Sequence, residues 1–263
     1  INAAGRMEVA RHVVELFEAE SFEKARELAE LLDSRNRERQ KVQREITEMA
    51  LHEYLKNGGQ KGQSHAVVVA GENWHRGVIG LAASKITEKL HRPSIVISLE
   101  NGIGHGSARS IGKYHLLSGL ESCGELMEQF GGHAAAAGLK IKAENIDLLR
   151  EKLNRHAMEN LSEEDLIPEV NIDAVVSSKT LDLKMLDELK MLEPFGAGNP
   201  KPVFVTKDLY LVDEPYVMKE KHLRLRLADE SRKQFEAVWW DGVERSKGRT
   251  LRPKERIELA YTP

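Results

Sequence analysis

Hydrophobic positions change their rhythm along the chain. Over residues 8–20 they recur at Val9, Val13, Leu16 and Phe17, the spacing of a short amphipathic helix. Ser21 is placed to N-cap a second helix, and neither Gly nor Pro interrupts residues 21–57. A helix of that length would run about 55 Å. Its middle, Asp33 to Arg44, is almost wholly polar, which predicts an exposed connector with no buried face. Asn57-Gly58-Gly59 ends it.

After a loop at Gly62 to Ser64 the pattern becomes alternating strand and helix. Ala66–Ala70 is a short apolar run of the kind a buried strand needs, and Ser94–Leu99 is another. Residues 78–90 carry Ile79, Ala82, Ala83, Ile86 and Leu90 on one helical face. A Gly-rich loop is expected over 101–106, a helix over 116–130, a short strand at 139–141 and a helix over 145–160. This order predicts an α/β domain. After Pro168 one helix (181–192) is followed by short strands at 203–205, 209–212, 222–227, 236–240 and 257–260. Such a series predicts a small barrel or sandwich, with an OB-like barrel the first choice. The expected fold class is therefore α/β plus all-β. The expected divisions are a connector region (1–63), an α/β domain (64–162) and an OB-like domain (163–263).

Composition narrows the function classes. The 263 residues carry 39 basic and 42 acidic side chains, a formal charge of −3, which argues against wholesale polyanion binding but permits a local basic groove. Apolar residues (41%) supply real cores, and with only 5% aromatics those cores are aliphatic. The lone Cys123 excludes an internal disulfide framework and fits a reducing cytoplasm. No run approaches the roughly 20 apolar residues of a membrane span, and no signal-peptide pattern opens the chain. It opens Ile1-Asn2-Ala3-Ala4-Gly5-Arg6-Met7, without an initiator Met, so the natural N-terminus is expected upstream.

Three motifs in the α/β domain offer chemistry. Phe130-Gly131-Gly132-His133, followed by four alanines and Gly138, pairs exposed backbone N–H groups with an imidazole. The same residues also suit a Gly-Gly helix C-cap. Gly104-His105-Gly106-Ser107-Ala108-Arg109-Ser110 offers hydroxyls and a guanidinium to a phosphate, or else a hairpin loop with a solvated Arg. Trp74-His75-Arg76-Gly77-Val78-Ile79-Gly80 opens a helix, where an anion can sit, or is ordinary βα-loop chemistry. His75, His105 and His133 could converge at strand ends, yet no Asp or Cys accompanies them at metal-ligand spacing. In the last domain His222-Leu223-Arg224-Leu225-Arg226-Leu227 alternates strictly, and Trp239-Trp240 places one indole outward. A basic face with an exposed aromatic suits single-stranded nucleic acid, and a merely solvated strand face suits the pattern too.

Together these motifs resemble the RecJ family of DHH phosphoesterases. Asn2-Ala3-Ala4-Gly5-Arg6, the Trp74–Gly80 run, Gly106–Ser110 and Gly131-Gly132-His133 with Ala136-Ala137-Gly138 look like its motifs, as does Pro194-Phe195-Gly196-Ala197-Gly198-Asn199-Pro200. The resemblance implies a 5′→3′ single-stranded-DNA exonuclease of recombination and repair. It implies Mn²⁺ or Mg²⁺ held by an Asp-His-His-bearing domain. No Asp-His-His occurs here, so the metal half is expected upstream, with no metal in this chain and no activity from it alone. By the same carry-over, His133 and Arg109 are the catalytic candidates. Arg6, His75, Ser107, Gly131 and Gly132 bind phosphate or substrate, and Arg224 and Arg226 hold the outgoing strand. Single-stranded DNA is the expected partner, with a single-strand-binding protein or helicase as candidate protein partners, in the cytoplasm and away from membranes. A DHH-family phosphodiesterase acting on short oligonucleotides and a non-catalytic nucleic-acid scaffold are the competing readings.

Overall fold

The computed structural model describes residues 2–7, 10–59, 64–246 and 248–263; Val9 of the first expected helix and Gly62 and Gln63 of the expected loop lie outside them. The chain divides into two compact units, residues 1–168 and 169–263. Among the described residues no helix is long and apolar enough to cross a membrane.

In the first unit α1 (Arg11–Phe17) and α2 (Phe22–Lys56) precede β1 (Val67–Glu72), α3 (Arg76–Leu90), β2 (Ser94–Glu100) and β3 (Ile103–Arg109). Then come α4 (Leu116–Glu121), β4 (Met127–Gly132), β5 (Ala136–Lys142) and α5 (Ile146–Asn160). The strands form one sheet in the order β1-β2-β3-β5-β4. Only β1 and β2, joined through α3, run parallel. Period-2 alternation sends Val67, Val69 and Val96 toward α3 and the C-terminal half of α2. It sends Val68, Ile95 and Ile97 toward α4 and α5. Each fully buried aliphatic side chain on these faces contributes roughly 1.5–3 kcal/mol.

Ser21 caps α2 as expected, its hydroxyl accepting from the Lys24 N–H. The polar middle of α2 is not solvated all round, however. Leu28, Leu32, Arg39, Ile46, Ala50 and Tyr54 form one buried stripe that runs through it. Arg39 keeps the stripe polar at its centre by donating to Asn36 Oδ1 (3.2 Å) and Gln43 Oε1 (2.7 Å), one turn away on either side. A buried guanidinium with local amide partners is invisible to a hydrophobic count.

Two further expectations fail in the sheet. The glycines of 101–106 are not a loop: Asn101 and Gly102, both with positive φ (51° and 79°), make a two-residue turn. From Ile103 the chain is strand, paired with β2 on one side and β5 on the other. Gly104 and Gly106 sit there because neighbours occupy their side-chain space. A Cβ on Gly104 would lie 2.7 Å from Ile97, and one on Gly106 2.8 Å from Leu139. The expected helix over 116–130 stops at Glu121, and residues 127–132 are strand. Its helical spacing persists past Glu121 because a short 3₁₀ turn still buries Cys123 and Leu126, after which pairing with β5 decides.

The second unit contains β6 (Ala174–Val175), α6 (Leu183–Lys190), β7 (Phe204–Leu211), β8 (Tyr216–Met218), β9 (His222–Ala228), β10 (Gln234–Trp239), α7 (Gly242–Arg245) and β11 (Arg256–Tyr261). The sheet runs β10-β9-β7-β11, with β6 on β7 and β8 on β9. The two strands expected at 203–205 and 209–212 are one, β7. Asp208 adopts φ 55° opposite a register shift at Ile257/Leu259, and this bulge places two exposed residues in succession. Leu223, Leu225 and Leu227 point into the core and Arg224 and Arg226 outward, as the alternation requires.

A polar clip ties this unit together. Asp229 accepts from the hydroxyls of Ser231 (2.6 Å) and Ser178 (2.7 Å) and from the Lys233 N–H (3.0 Å). The Ser231 hydroxyl first, and then that of Ser178, hold its carboxyl down to about 2 from the usual 3.8. A depressed carboxylate stabilises the fold fully above its unfolded value and loses that contribution as pH falls through the folded one. Asp229→Asn is therefore expected to lower the melting temperature at neutral pH, and the gap from wild type to shrink between pH 4 and pH 2. Gly106→Val should cost on the order of 2 kcal/mol by overpacking against Leu139 and Ile97, read as a lower urea midpoint in circular dichroism.

Candidate nucleic-acid interface

On the α3 side of the first sheet, β3 presents His105, Ser107 and Arg109 at alternate positions. Because β3 is paired on both edges, its backbone is committed to the sheet, and any anion here meets side chains rather than a backbone N–H cradle. The Arg109 guanidinium folds back along the strand: Nη1 donates to Ser107 Oγ (3.2 Å) and to the Ala108 carbonyl (2.7 Å). Its far edge lies against α3, where a Cβ built on Gly80 would stand 3.1 Å from Nη2. Burial first, and then the charge of Arg6, press the Arg109 guanidinium below its ordinary pKa. Among the described residues no carboxylate pairs with Arg6 or Arg109. Arg6 reaches this place because its backbone carbonyl rests on the first turn of α3, where a Cβ on Gly77 would lie 2.0 Å from it.

Next to these cations the sheet is bare. Ser107 pairs with Gly138 and Gly138 with Gly131, so a row about 10 Å wide, two strand spacings, carries no side chain beyond the serine. A Cβ on Gly131 would meet nothing within 4 Å. In the next row Arg109 pairs with Ala136, whose carbonyl accepts from the His133 N–H (2.9 Å). His133 thus stands exposed at the β4–β5 hairpin, at the Arg109 end of this floor. Its Nδ1 accepts from the Ala135 N–H (3.3 Å), which leaves Nε2 to carry the proton of the neutral ring outward. The motif is a hairpin and not a helix cap. Gly132 serves its closure, since a Cβ there would lie 2.4 Å from the Ala136 carbonyl oxygen.

His105 and His133 do not converge. His75 is the N-cap of α3, its Nδ1 accepting from the Gly77 N–H (3.1 Å). His105 pairs with Ser98 and Lys140, two rows from Arg109 along β3 and so about 13 Å away, at the opposite end from His133. Burial first and Arg76 second push the His105 imidazole down, which favours its neutral form. Among the described residues no group of three or more His, Cys, Asp or Glu is arranged to hold a metal. Sequence reasoning pointed to Arg6, Ser107, Arg109, Gly131 and His133 as candidates. It missed the roles of Gly77, Gly80 and Gly138, because only strand register and helix placement reveal what stands opposite a glycine.

In the second unit Arg224 lies over the Tyr216 ring (5.1 Å to the centroid), and Arg226 pairs with Asp213 (2.8 Å). His222 meets the exposed Trp240 edge to face at 4.9 Å. The outward side of β8-β9-β10 therefore combines cations with exposed aromatic rings. The Arg226–Asp213 pair is half-exposed and contributes little to stability.

Residues 172–263 match the RecJ OB domain, and residues 62–159 match the DHHA1 domain. Single-stranded-DNA-specific exonuclease RecJ of Bacillus subtilis is 36% identical over 262 residues, 98% of this chain and 33% of that protein. The Haemophilus influenzae protein of the same name is 31% identical over 234 residues, 86% of this chain and 40% of its own length. The crystal structure of RecJ in complex with Mg²⁺ from Thermus thermophilus superposes with a TM-score of 0.79 at 25% identity, covering all of this chain and 38% of that one. The chain thus spans a third to two fifths of the relatives it matches. Its residues match a DHHA1 domain and then a RecJ OB domain, and it is similar along its length to one part of the single-stranded-DNA-specific exonuclease RecJ.

Proposed function

We propose that this chain is the substrate-gripping part of a 5′→3′ single-stranded-DNA exonuclease of recombination and repair. The observation that carries the reading is the partly buried Arg109 guanidinium, bonded to Ser107 and without a carboxylate partner among the described residues, beside an open backbone floor and the α3 turn on which the Arg6 backbone rests. Two like charges brought together in partly desolvated surroundings favour an anion between them, and a phosphate satisfies both. Arg109 and Ser107 hold the scissile or adjacent phosphate. His133 donates from Nε2 across the floor, Arg6 steadies the phosphate from the first turn of α3, and His75 fixes that turn. On the second unit Arg224 and Arg226, with the exposed Trp240, engage the outgoing strand by charge and stacking.

The hydrolytic step belongs to a divalent ion, Mn²⁺ or Mg²⁺, held by residues of the full-length enzyme other than these. Its chemistry is to activate water and stabilise the leaving oxygen. Relatives whose solved structures are described as complexes with Mg²⁺ and with Mn²⁺ support that assignment.

The test is a labelled single-stranded oligonucleotide incubated with this chain and Mn²⁺, read for binding and for cleavage. Binding that weakens steeply with added salt, without cleavage, is expected. Robust metal-dependent cleavage by a clean preparation would place a complete active site in the chain and defeat the reading. Arg109→Ala is expected to weaken binding about tenfold or more, the loss of a charge-assisted hydrogen-bond donor. In the full-length enzyme it should lower kcat strongly, and unchanged turnover would remove Arg109 from the site.

A further inference from the structure

The N-terminal half of α3 carries two glycines one turn apart, Gly77 and Gly80, in a helix whose interior would be more stable with alanine at either position. Neither has a positive φ to require glycine. What each faces is one of the two arginines. A Cβ on Gly77 would lie 2.0 Å from the carbonyl oxygen of Arg6 and 2.8 Å from its carbonyl carbon, closer than any packing tolerates. One on Gly80 would lie 3.0 Å from Ser107 Oγ and 3.1 Å from Arg109 Nη2, close enough that the guanidinium must shift.

We infer that Gly77 and Gly80 are positioning residues for the phosphate site. By omitting a methyl each, they let the Arg6 backbone and the Arg109 guanidinium settle on the same face of α3, and so they set the separation of the two cations. The inference rests on the phosphate-site reading above. It adds that the geometry of that site is fixed by the helix behind it. The two glycines differ in stringency. Gly77 faces backbone, which cannot turn aside, whereas Gly80 faces the end of a side chain, which can move by a few tenths of an ångström. Gly77→Ala should therefore act as strongly as removing the Arg6 side chain, and Gly80→Ala more mildly.

A packing role and a positioning role predict opposite signs for stability. The experiment measures the melting temperature of the whole chain alongside its affinity for a 3′-fluorescein-labelled single-stranded oligo(dT). Gly80→Ala is expected to melt no lower than wild type while binding about fivefold more weakly, the effect of weakening one charge-assisted contact. In an Arg109→Lys background, where only Ser107 Oγ still meets the new methyl, the penalty of Gly80→Ala should shrink. Gly77→Ala should bind as weakly as Arg6→Ala, and the two changes together no more weakly than either. A lower melting temperature for Gly80→Ala would make it a packing residue and overturn the inference. So would wild-type binding by Gly80→Ala, or an undiminished penalty in the Arg109→Lys background. If Arg109→Ala itself binds as wild type, the phosphate-site reading falls instead, which keeps the two failures apart.

Discussion

Helix α3 lies so near to β3 that the Arg109 guanidinium has helix backbone, rather than water, along one edge. That proximity governs the rest of the α3 face. It withdraws part of the hydration of a permanent cation, and it turns the Ser107 hydroxyl and the Ala108 carbonyl into that cation's hydrogen-bond partners. It also brings the segment carrying Arg6 against the first helical turn. A cation in that position is costly to keep without a counter-charge. The sheet supplies none among the described residues, and an anion bound there would relieve the cost. The stabilising cores behind it, from Val67, Val69 and Val96 to Ile79, Ala83 and Ile86, hold the helix at this distance without taking part in the chemistry.

The two units solve the problem of presenting charge differently. In the first, alternation along β3 places Ser107 and Arg109 on a face that a helix partly covers, so the cation is oriented and partly dehydrated. In the second, the same alternation along β9 leaves Arg224 and Arg226 in solvent, one over the Tyr216 ring and the other paired with Asp213. Screening weakens such exposed charges, so the two sets of arginines do unequal work even though both read as basic residues on strands.

Much of this was legible in the residues. Apolar runs such as Ala66–Ala70 and Ser94–Leu99 mark buried strands, because a strand covered on both faces needs no polar alternation. The Leu-Arg alternation of 222–227 gave its orientation directly. Glycine was the main source of error. At 101–106 it reads as loop, whereas of these glycines only Gly102 turns the chain, and Gly104 and Gly106 yield space to Ile97, Ile141 and Leu139. That cause lies on neighbouring strands remote in sequence. The strand at 127–132 hid behind a helical spacing that a 3₁₀ turn happens to continue, and the bulge at Asp208 split one strand into two apparent ones. Arg39 escaped for a related reason: partners on its own helix made its burial possible. For the candidate site, residue types and motifs pointed to Arg109, Ser107 and His133. Strand register was needed to show that His105 and His133 lie at opposite ends of the sheet.

The bare row formed by Gly131 and Gly138 has a consequence for discrimination. Reading a nucleobase requires side-chain donors and acceptors set against its edge, and this stretch of sheet has none to offer. A strand lying across it would be felt as charge and shape, through its phosphates at Arg109 and its thickness against the sheet. Adenine and thymine would pass over the same glycines on equal terms, which would make this surface indifferent to the message carried by any polymer laid across it.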